Sequence, residues 1–529
     1  MFTNRSFPRF PDGLRNSVAV ALLVAALQGA AALAEDASGA PILTIIVTRH
    51  GVRSYSPLVG ANDTCDKAEA VDNDEAADNN SPSAKYKWAD WNLGDPTCPI
   101  KANDLTRHGY VLMTIMGNYY RNRLKADRKR QQFDCGQLFV YADVDQRTLG
   151  TAHALVEGLC TSPSAVKIFH EVDPNNKDPL FNATEWTSKN GGIVPELSNC
   201  AIRWSATAAP IKVPCSYPDA SLPTKVFNSQ LSQFKELLDK RCIQGCDHLG
   251  RDPFFQDADN KHLASLKGQV DTARTYSENV FLEYAQCGDI TAPDSLVPSK
   301  ASPVDLDELQ KGLEVHVGGY AINGRDDFMN KDRTAVYNPF IRGETLLWHI
   351  VALMDQRAGR TGLGPITKGA IPGELDVKSG KSVVIFSGHD TQLAALGGML
   401  DAHWLPPAAS NIVRDDMPPG SALVFDLLNQ NGAYRVQVRF ATMARDRFRK
   451  EAPLGDDWLH DGVGLYPVTI GACGGATCDL SQLEAVASDN ARRGGKDIVA
   501  YGWTVNDAGA PKDPKNVDGV FDPKWTKCP

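Results

Sequence analysis

The stretch PILTIIVTRHGVR, residues 41–53, decides how the rest of the chain is read. Its first eight residues are apolar or β-branched with almost no polar alternation. That is the pattern of a strand buried on both faces of a parallel sheet, not of a strand with one wet side. Arg49-His50-Gly51-Val52-Arg53 follows with no linker. Open α/β sheets bind their ligands beyond the carboxyl ends of the strands. A histidine between two arginines at that position is therefore a candidate site rather than a surface charge cluster.

Two more runs of the same kind occur far along the chain. LFVYA (138–142) leads into Asp143-Val144-Asp145-Gln146-Arg147, and SVVIF (382–386) leads into Ser387-Gly388-His389-Asp390-Thr391. Helical spacing predicts helices from about Tyr110 to Lys125 and from about Thr148 to Leu159, and a third after Thr391. Ala422–Leu427 and Tyr434–Ala441 read as further strands, on an antiparallel side of the sheet. This alternation predicts an α/β fold, a mostly parallel central sheet flanked by helices. Residues 200–360 are mixed and largely helical, at Ser229–Leu238, Thr272–Ala285, Leu306–Leu313 and Glu344–Gln356, with no strong alternating strand signal. Residues 61–104 are polar and acidic and read as a surface insertion. The 529 residues allow two or three domains.

The first 34 residues read as a signal peptide. Arg5, Arg9 and Arg15 precede the apolar stretch from Val18 to Leu27, and Ala32-Leu33-Ala34 is a small-residue cleavage pattern. The apolar core is short for a membrane anchor. The expected location is periplasmic or secreted, with no membrane association once the leader is removed. Twelve cysteines, an even number, fit disulfides in an oxidising compartment. Cys135–Cys160 and Cys473–Cys478 are plausible bridges, although sequence alone leaves the connectivity open. Cys242, Cys246 and His248 raise the question of zinc. No second ligand pair at regular spacing and no HExxH accompanies them, so neither a metal nor a cofactor is expected. The net charge is −9, and the basic leader makes the remainder more acidic. That argues against a nucleic-acid partner, but a few arginines can still build a local phosphate pocket.

The chemistry comes from the three strand ends taken together. Arg49, Arg53 and Arg147 are permanent cations whose planar forks match phosphate oxygens. Nearby cations disfavour imidazolium, so His50 is expected to be neutral and nucleophilic at mildly acid pH. Asp390 is the expected general acid for the leaving oxygen. A bound phosphate would raise its pKa, while its place at a helix N-terminus pushes the other way. His389 is expected to donate to a phosphate oxygen. The tripeptide alone is weak evidence, because Arg107-His108-Gly109 repeats it. No buried strand precedes that copy. It starts a helix that Thr106 can cap, and His108 reads as structural.

These segments resemble the histidine acid phosphatases, and within them the bacterial periplasmic phytase and glucose-1-phosphatase group. The resemblance rests on RHGVR after a first strand, on ADVDQRT and GHDTQLAALGG, and on LTRHGYVLMTIMGNYYR and PPGSALVF (418–425). It implies His50 as the phosphorylated nucleophile, Asp390 as the proton donor, and Arg49, Arg53, Arg147 and His389 as the phosphate holders. It implies a discontinuous α/β catalytic domain, 41–165 and 360–529, with a smaller inserted α-helical cap domain at 200–340. Glu278 resembles a cap carboxylate that touches the substrate ring, although a solvated helix face would explain it equally. The expected partner is a small-molecule phosphate monoester, phytate or another inositol phosphate first, and the expected state is a monomer. The family pattern is RHGxRxP, whereas here Pro57 stands two positions late. A glucose-1-phosphatase, a broad sugar-phosphate phosphatase, a phosphomutase, a metal-dependent phosphatase and a non-catalytic organic-phosphate binder are the alternatives. The export signal and Val52-Arg53, in place of the RHGE of mutases, weigh against a mutase. Pure binding needs no nucleophile–acid pair.

Overall fold

The computed structural model describes residues 39–54, 103–129, 132–170, 269–286, 306–323, 338–360 and 380–494, with short pieces between them. The leader, residues 55–57, nearly all of 61–104, most of Ser229–Leu238, and Cys246 with His248 lie outside the described residues.

The strands are β1 (Leu43–Arg49), β2 (Leu138–Ala142), β3 (Ile168–Phe169), β4 (Val383–Gly388), β5 (Ala402–Trp404), β6 (Ala422–Gln430), β7 (Ala433–Met443), β8 (Val463–Ile470) and β9 (Thr477–Asp479). They form one sheet in the order β5-β8-β7-β6-β1-β4-β2-β3, with β9 beside β7. The β1–β4, β4–β2 and β2–β3 pairs are parallel. From β1 outward through β6, β7, β8 and β5 every pair is antiparallel. The two strands expected on an antiparallel side are thus β6 and β7. They are joined across Asn431 and Gly432, both at positive φ, which is what a tight two-residue hairpin requires.

The near-continuous apolar runs are explained by burial on both faces. Along β1, Ile46 joins one core while Leu43, Ile45 and Val47 join the other. On β2 and β4, Val140 and Ile385 face the first core, and Tyr141 and Phe386 face the second. The first core is closed by α1 (Arg107–Asp127), α2 (Gln146–Leu159) and α3 (Gln269–Ala285). The second is closed by α5 (Asn338–Ala358), α6 (Asp390–Leu400) and α7 (Leu480–Gly494). Helix α4 (Leu306–Asn323) packs on α3 and reaches both, with Leu309 and Leu313 in the first and Tyr320 in the second.

Each predicted helix in the described residues is present, most of them longer than the pattern indicated. Strands of two or three residues that the pattern missed also occur. Glu196–Ser198, Ala201–Arg203 and Ile211–Lys212 form one small sheet, and Lys85–Tyr86 pairs with Cys242–Gln244. Runs that short carry too few residues to display a period. Cys135–Cys160 and Cys473–Cys478 are both disulfides. The first ties the approach to β2 to the end of α2.

Candidate active site

Register brings the three strand ends together. Thr48 pairs with Ser387, and Ser387 pairs with Ala142. The next residues of each strand therefore leave the sheet side by side at its carboxyl edge. His50 N–H donates to the Gly388 carbonyl at 2.9 Å, and Asp143 N–H donates to the Ser387 carbonyl at 2.9 Å. Gly420 N–H donates to the His50 carbonyl at 2.7 Å, and Gly51 N–H to the Thr151 hydroxyl at 2.8 Å. The turn carrying His50 is thus pinned by β4, by the segment before β6 and by α2.

The His50 ring is 5.5 Å from that of His389, edge to face. Its Nδ1 lies 2.9 Å from the Gly51 carbonyl oxygen. A carbonyl only accepts, so Nδ1 carries the proton and Nε2 keeps its lone pair. Burial, then Arg147, Arg49, His389 and Arg53, push the imidazole well below its ordinary range. The neutral ring expected from the sequence is therefore the form that this site favours.

Arg49, almost fully buried, reaches three elements. Its guanidinium donates to the Met417 carbonyl, pairs with Glu278 of α3, and lies 2.9 Å from Asp390 Oδ2. Arg53 pairs with the other Glu278 oxygen at 2.8 Å and donates to Asn103 at 2.9 Å. Glu278 therefore bridges the two arginines that flank His50. Burial raises its carboxyl, but Arg53 and Arg49 outweigh that and leave it lowered. A solvated helix face does not describe this residue, which is only 8% exposed.

Asp390 is the first residue of α6, with His389 at the cap position. Burial alone would raise its carboxyl. Arg49, His50, a hydrogen bond from Tyr320, and Arg274 reverse this and hold it well below the ordinary carboxylate range. His389 Nε2 lies 3.0 Å from Asp143 and 3.1 Å from Asp145. Burial and Arg147 oppose its protonation, but those two hydrogen bonds prevail and raise its pKa. Arg147 pairs with Asp145 at 2.7 Å and sits 3.4 Å from His389 Nδ1.

Among the described residues, two groups have ligand-type atoms close enough to share a metal, Asp143–Asp145–His389 and Glu278–His316–Asp390. In the first, one histidine nitrogen lies against both aspartates and Arg147 pairs with Asp145. In the second, Arg49 and Arg53 pair with Glu278, and Arg49 also with Asp390. The cations these carboxylates face are the protein's own.

All six residues singled out from the sequence meet at this edge. Sequence reasoning missed Asp143 and Asp145 as partners of His389, and Arg274, His316 and Tyr320 as neighbours of Asp390. The aspartates stood in the quoted ADVDQRT segment. The other three lie on helices whose polar spacing carries no catalytic signature. The second tripeptide behaves as expected. Thr106 caps α1 by accepting from Gly109 N–H at 2.9 Å, and both His108 nitrogens are occupied, by Glu451 at 2.9 Å and the Phe448 carbonyl at 2.6 Å.

A bare imidazole nitrogen ringed by guanidinium groups, with a carboxyl group beside it, suits transfer of a phosphoryl group to histidine. Residues 43–189 match the histidine phosphatase superfamily (branch 2). Over those residues the chain is similar to the histidine phosphatases, and with its phytase relatives this makes it a phosphatase, an enzyme that hydrolyses phosphate monoesters. Its relatives are phytases. It is 26% identical over 449 residues to phytase AppA of Escherichia coli (strain K12), across 81% of this chain and 86% of that one. The Hafnia alvei phytase in complex with myo-inositol hexakis sulphate superposes with a TM-score of 0.59 at 21% identity, covering 86% of this chain and 98% of that chain. The Citrobacter braakii phytase does so with 0.54 at 20% identity, over 85% and 97%. These two structural likenesses are likenesses of fold.

Proposed function

We propose that the chain is an exported histidine acid phosphatase that works through a phosphohistidine on His50, with inositol phosphates such as phytate as its first substrates. Arg49, Arg53, Arg147 and His389 hold the phosphate, and Glu278 must leave Arg49 and Arg53 for it to bind. His50 Nε2 attacks phosphorus as the bond to the ester oxygen breaks. The Gly51 carbonyl, already accepting from Nδ1, steadies the charge that the ring gains. Bound phosphate raises the Asp390 carboxyl, since like charges resist co-ionisation. Asp390 then gives its proton to the leaving oxygen. Water next attacks the phosphohistidine, its proton passes to Asp390, and the P–N bond breaks to return neutral His50.

The observation that carries this reading is the contact of His50 Nδ1 with the Gly51 carbonyl, which puts the ring's proton on Nδ1 and leaves the Nε2 lone pair among three arginines. Helices α3 and α4, which place Glu278, Arg274 and Tyr320 over the strand ends, support the reading of residues 200–340 as a cap. The leader pattern and the two disulfides support export to the periplasm or beyond. Among the described residues no helix is long and apolar enough to cross a membrane. The phytase relatives favour inositol phosphates, and glucose 1-phosphate and other sugar phosphates are the second choice.

The test is a substrate panel of phytate, glucose 1-phosphate and p-nitrophenyl phosphate at mildly acid pH, with acid-stable and acid-labile phosphoenzyme measured after rapid quenching. Wild type is expected to form an acid-labile phosphoenzyme on His50 and to turn over phytate fastest. His50→Ala should form none, and near-full activity in that variant would refute the assignment.

A further inference from the structure

Asp390 is enclosed on several sides by charged or titratable groups. Arg49 and His50 face it from the end of β1, Arg274 and Glu278 from α3, and Tyr320 and His316 from α4. Most of these act through charge alone. Tyr320 differs, because its hydroxyl is hydrogen-bonded to the Asp390 carboxylate.

The tyrosine is built into place. It is 3% exposed. The Arg274 guanidinium lies 4.8 Å from its ring centroid, and the His316 ring meets it at 4.9 Å, edge to face. His316 and Tyr320 are four residues apart on α4, and Arg274 and Glu278 are four apart on α3, so each pair shares one helix face. His316 is anchored from behind by Asp416, at 3.3 Å from Nδ1. Its ligand-type nitrogen, a Glu278 oxygen and an Asp390 oxygen all lie within 4.8 Å of one another. Burial, then Asp390, push the phenol well above its ordinary range. The hydroxyl therefore keeps its proton and faces the carboxylate only as a donor.

We propose that Tyr320 is a positioning residue for the general acid. Its hydroxyl, carried on a ring packed by Arg274 and His316, stabilises the carboxylate left on Asp390 when that residue gives its proton to the leaving oxygen. A donor aimed beforehand at the atom where charge develops lowers the barrier without reorganising. The benefit grows with the leaving group's need for a proton, large for an alkoxide and small for p-nitrophenolate. This inference rests on the reading of Asp390 as the general acid, and the experiment separates the two.

Tyr320→Phe keeps the ring between Arg274 and His316 and removes only the donor. Its kcat on glycerol 2-phosphate is expected to fall about tenfold or more, the size of a hydrogen bond to a charged group. Its kcat on p-nitrophenyl phosphate should stay within about twofold, because that leaving group needs little protonation. Loss of the donor also disfavours the carboxylate. Asp390 then stays protonated to higher pH, and the alkaline limb of the glycerol 2-phosphate profile moves upward. A merely structural defect would lower both substrates alike and leave the limb in place, and that result overturns the proposal. Asp390→Asn, run beside it, must show the same selectivity more strongly. If Asp390→Asn is selective and Tyr320→Phe is not, only the role of Tyr320 falls. If Asp390→Asn is unselective, the general-acid reading falls and takes the role of Tyr320 with it.

Discussion

The tripeptide Arg-His-Gly stands at residues 49–51 and again at 107–109, and the two copies touch each other while their histidines end in opposite surroundings. His50 has one nitrogen on a carbonyl and the other free among cations, and is held neutral. His108 has a carboxylate on one nitrogen and a carbonyl on the other. The first is poised to form a bond, and the second has both nitrogens engaged by neighbouring oxygens. The glycines carry the contact between the copies. A Cβ on Gly51 would stand 3.1 Å from the Gly109 carbonyl oxygen, and a Cβ on Gly109 would stand 2.0 Å from the Val52 carbonyl oxygen. Thr106 N–H also donates to that same Val52 carbonyl, at 3.1 Å. The second copy is thus part of the seat on which the first is held, and identical residues serve as nucleophile and as support because different strands and helices surround them.

Four substitutions distinguish the roles of the two copies. The largest effect is expected from His50→Ala, which should cost more than about 10³-fold in kcat with a thermal midpoint close to wild type. A variant that melts early instead would place His50 in the support. Next is Gly109→Ala. Alanine favours a helix by about 1 kcal/mol, but here its methyl meets a backbone carbonyl that has no rotamer to change. Overpacking of this kind costs about 1–3 kcal/mol, so both stability and kcat should fall, because the strain is delivered to Val52 beside the nucleophile. Lost stability with full kcat per folded molecule would uncouple the two copies.

His108→Ala leaves the Phe448 carbonyl and the Glu451 carboxylate without their imidazole partner, worth about 1–3 kcal/mol in a denaturant titration, while kcat per folded molecule should stay near wild type. Loss of phosphoenzyme in this variant would give the second tripeptide a catalytic share. The smallest effect concerns what occupies the arginines of the first copy. Glu278 has a lowered pKa, so its carboxylate persists as pH falls through the ordinary glutamate range and is neutralised only below it. Above that lowered value phosphate competes with a carboxylate for Arg49 and Arg53. Glu278→Gln should therefore bind inorganic phosphate about tenfold more tightly there, with the two proteins converging as pH falls. An inhibition constant unchanged at all pH values would mean that Glu278 does not compete.

Much of the site was legible because each part of it follows a buried strand. The runs 41–48, 138–142 and 382–386 announce their structure through composition alone, and polar residues placed directly after such strands stand out. Glu278 was legible only as a resemblance. Its pairing with both arginines depends on how α3 lies over the strand ends, which the helical period of α3 does not encode. Tyr320 was not legible at all, since a tyrosine in HVGGY reads as an ordinary buried aromatic.

By itself the sequence determined the three buried strands, the order of the motifs, the helix that Thr106 caps and the residue types able to hold and transfer a phosphate. These are local properties, written in periods of two or about four residues. Only the tertiary structure decided which histidine is reactive, what Glu278 holds and what Asp390 leans on. Those outcomes depend on register between segments hundreds of residues apart, Thr48 beside Ser387 beside Ala142. They also depend on burial, which turns neighbouring charges into the forces that set each proton.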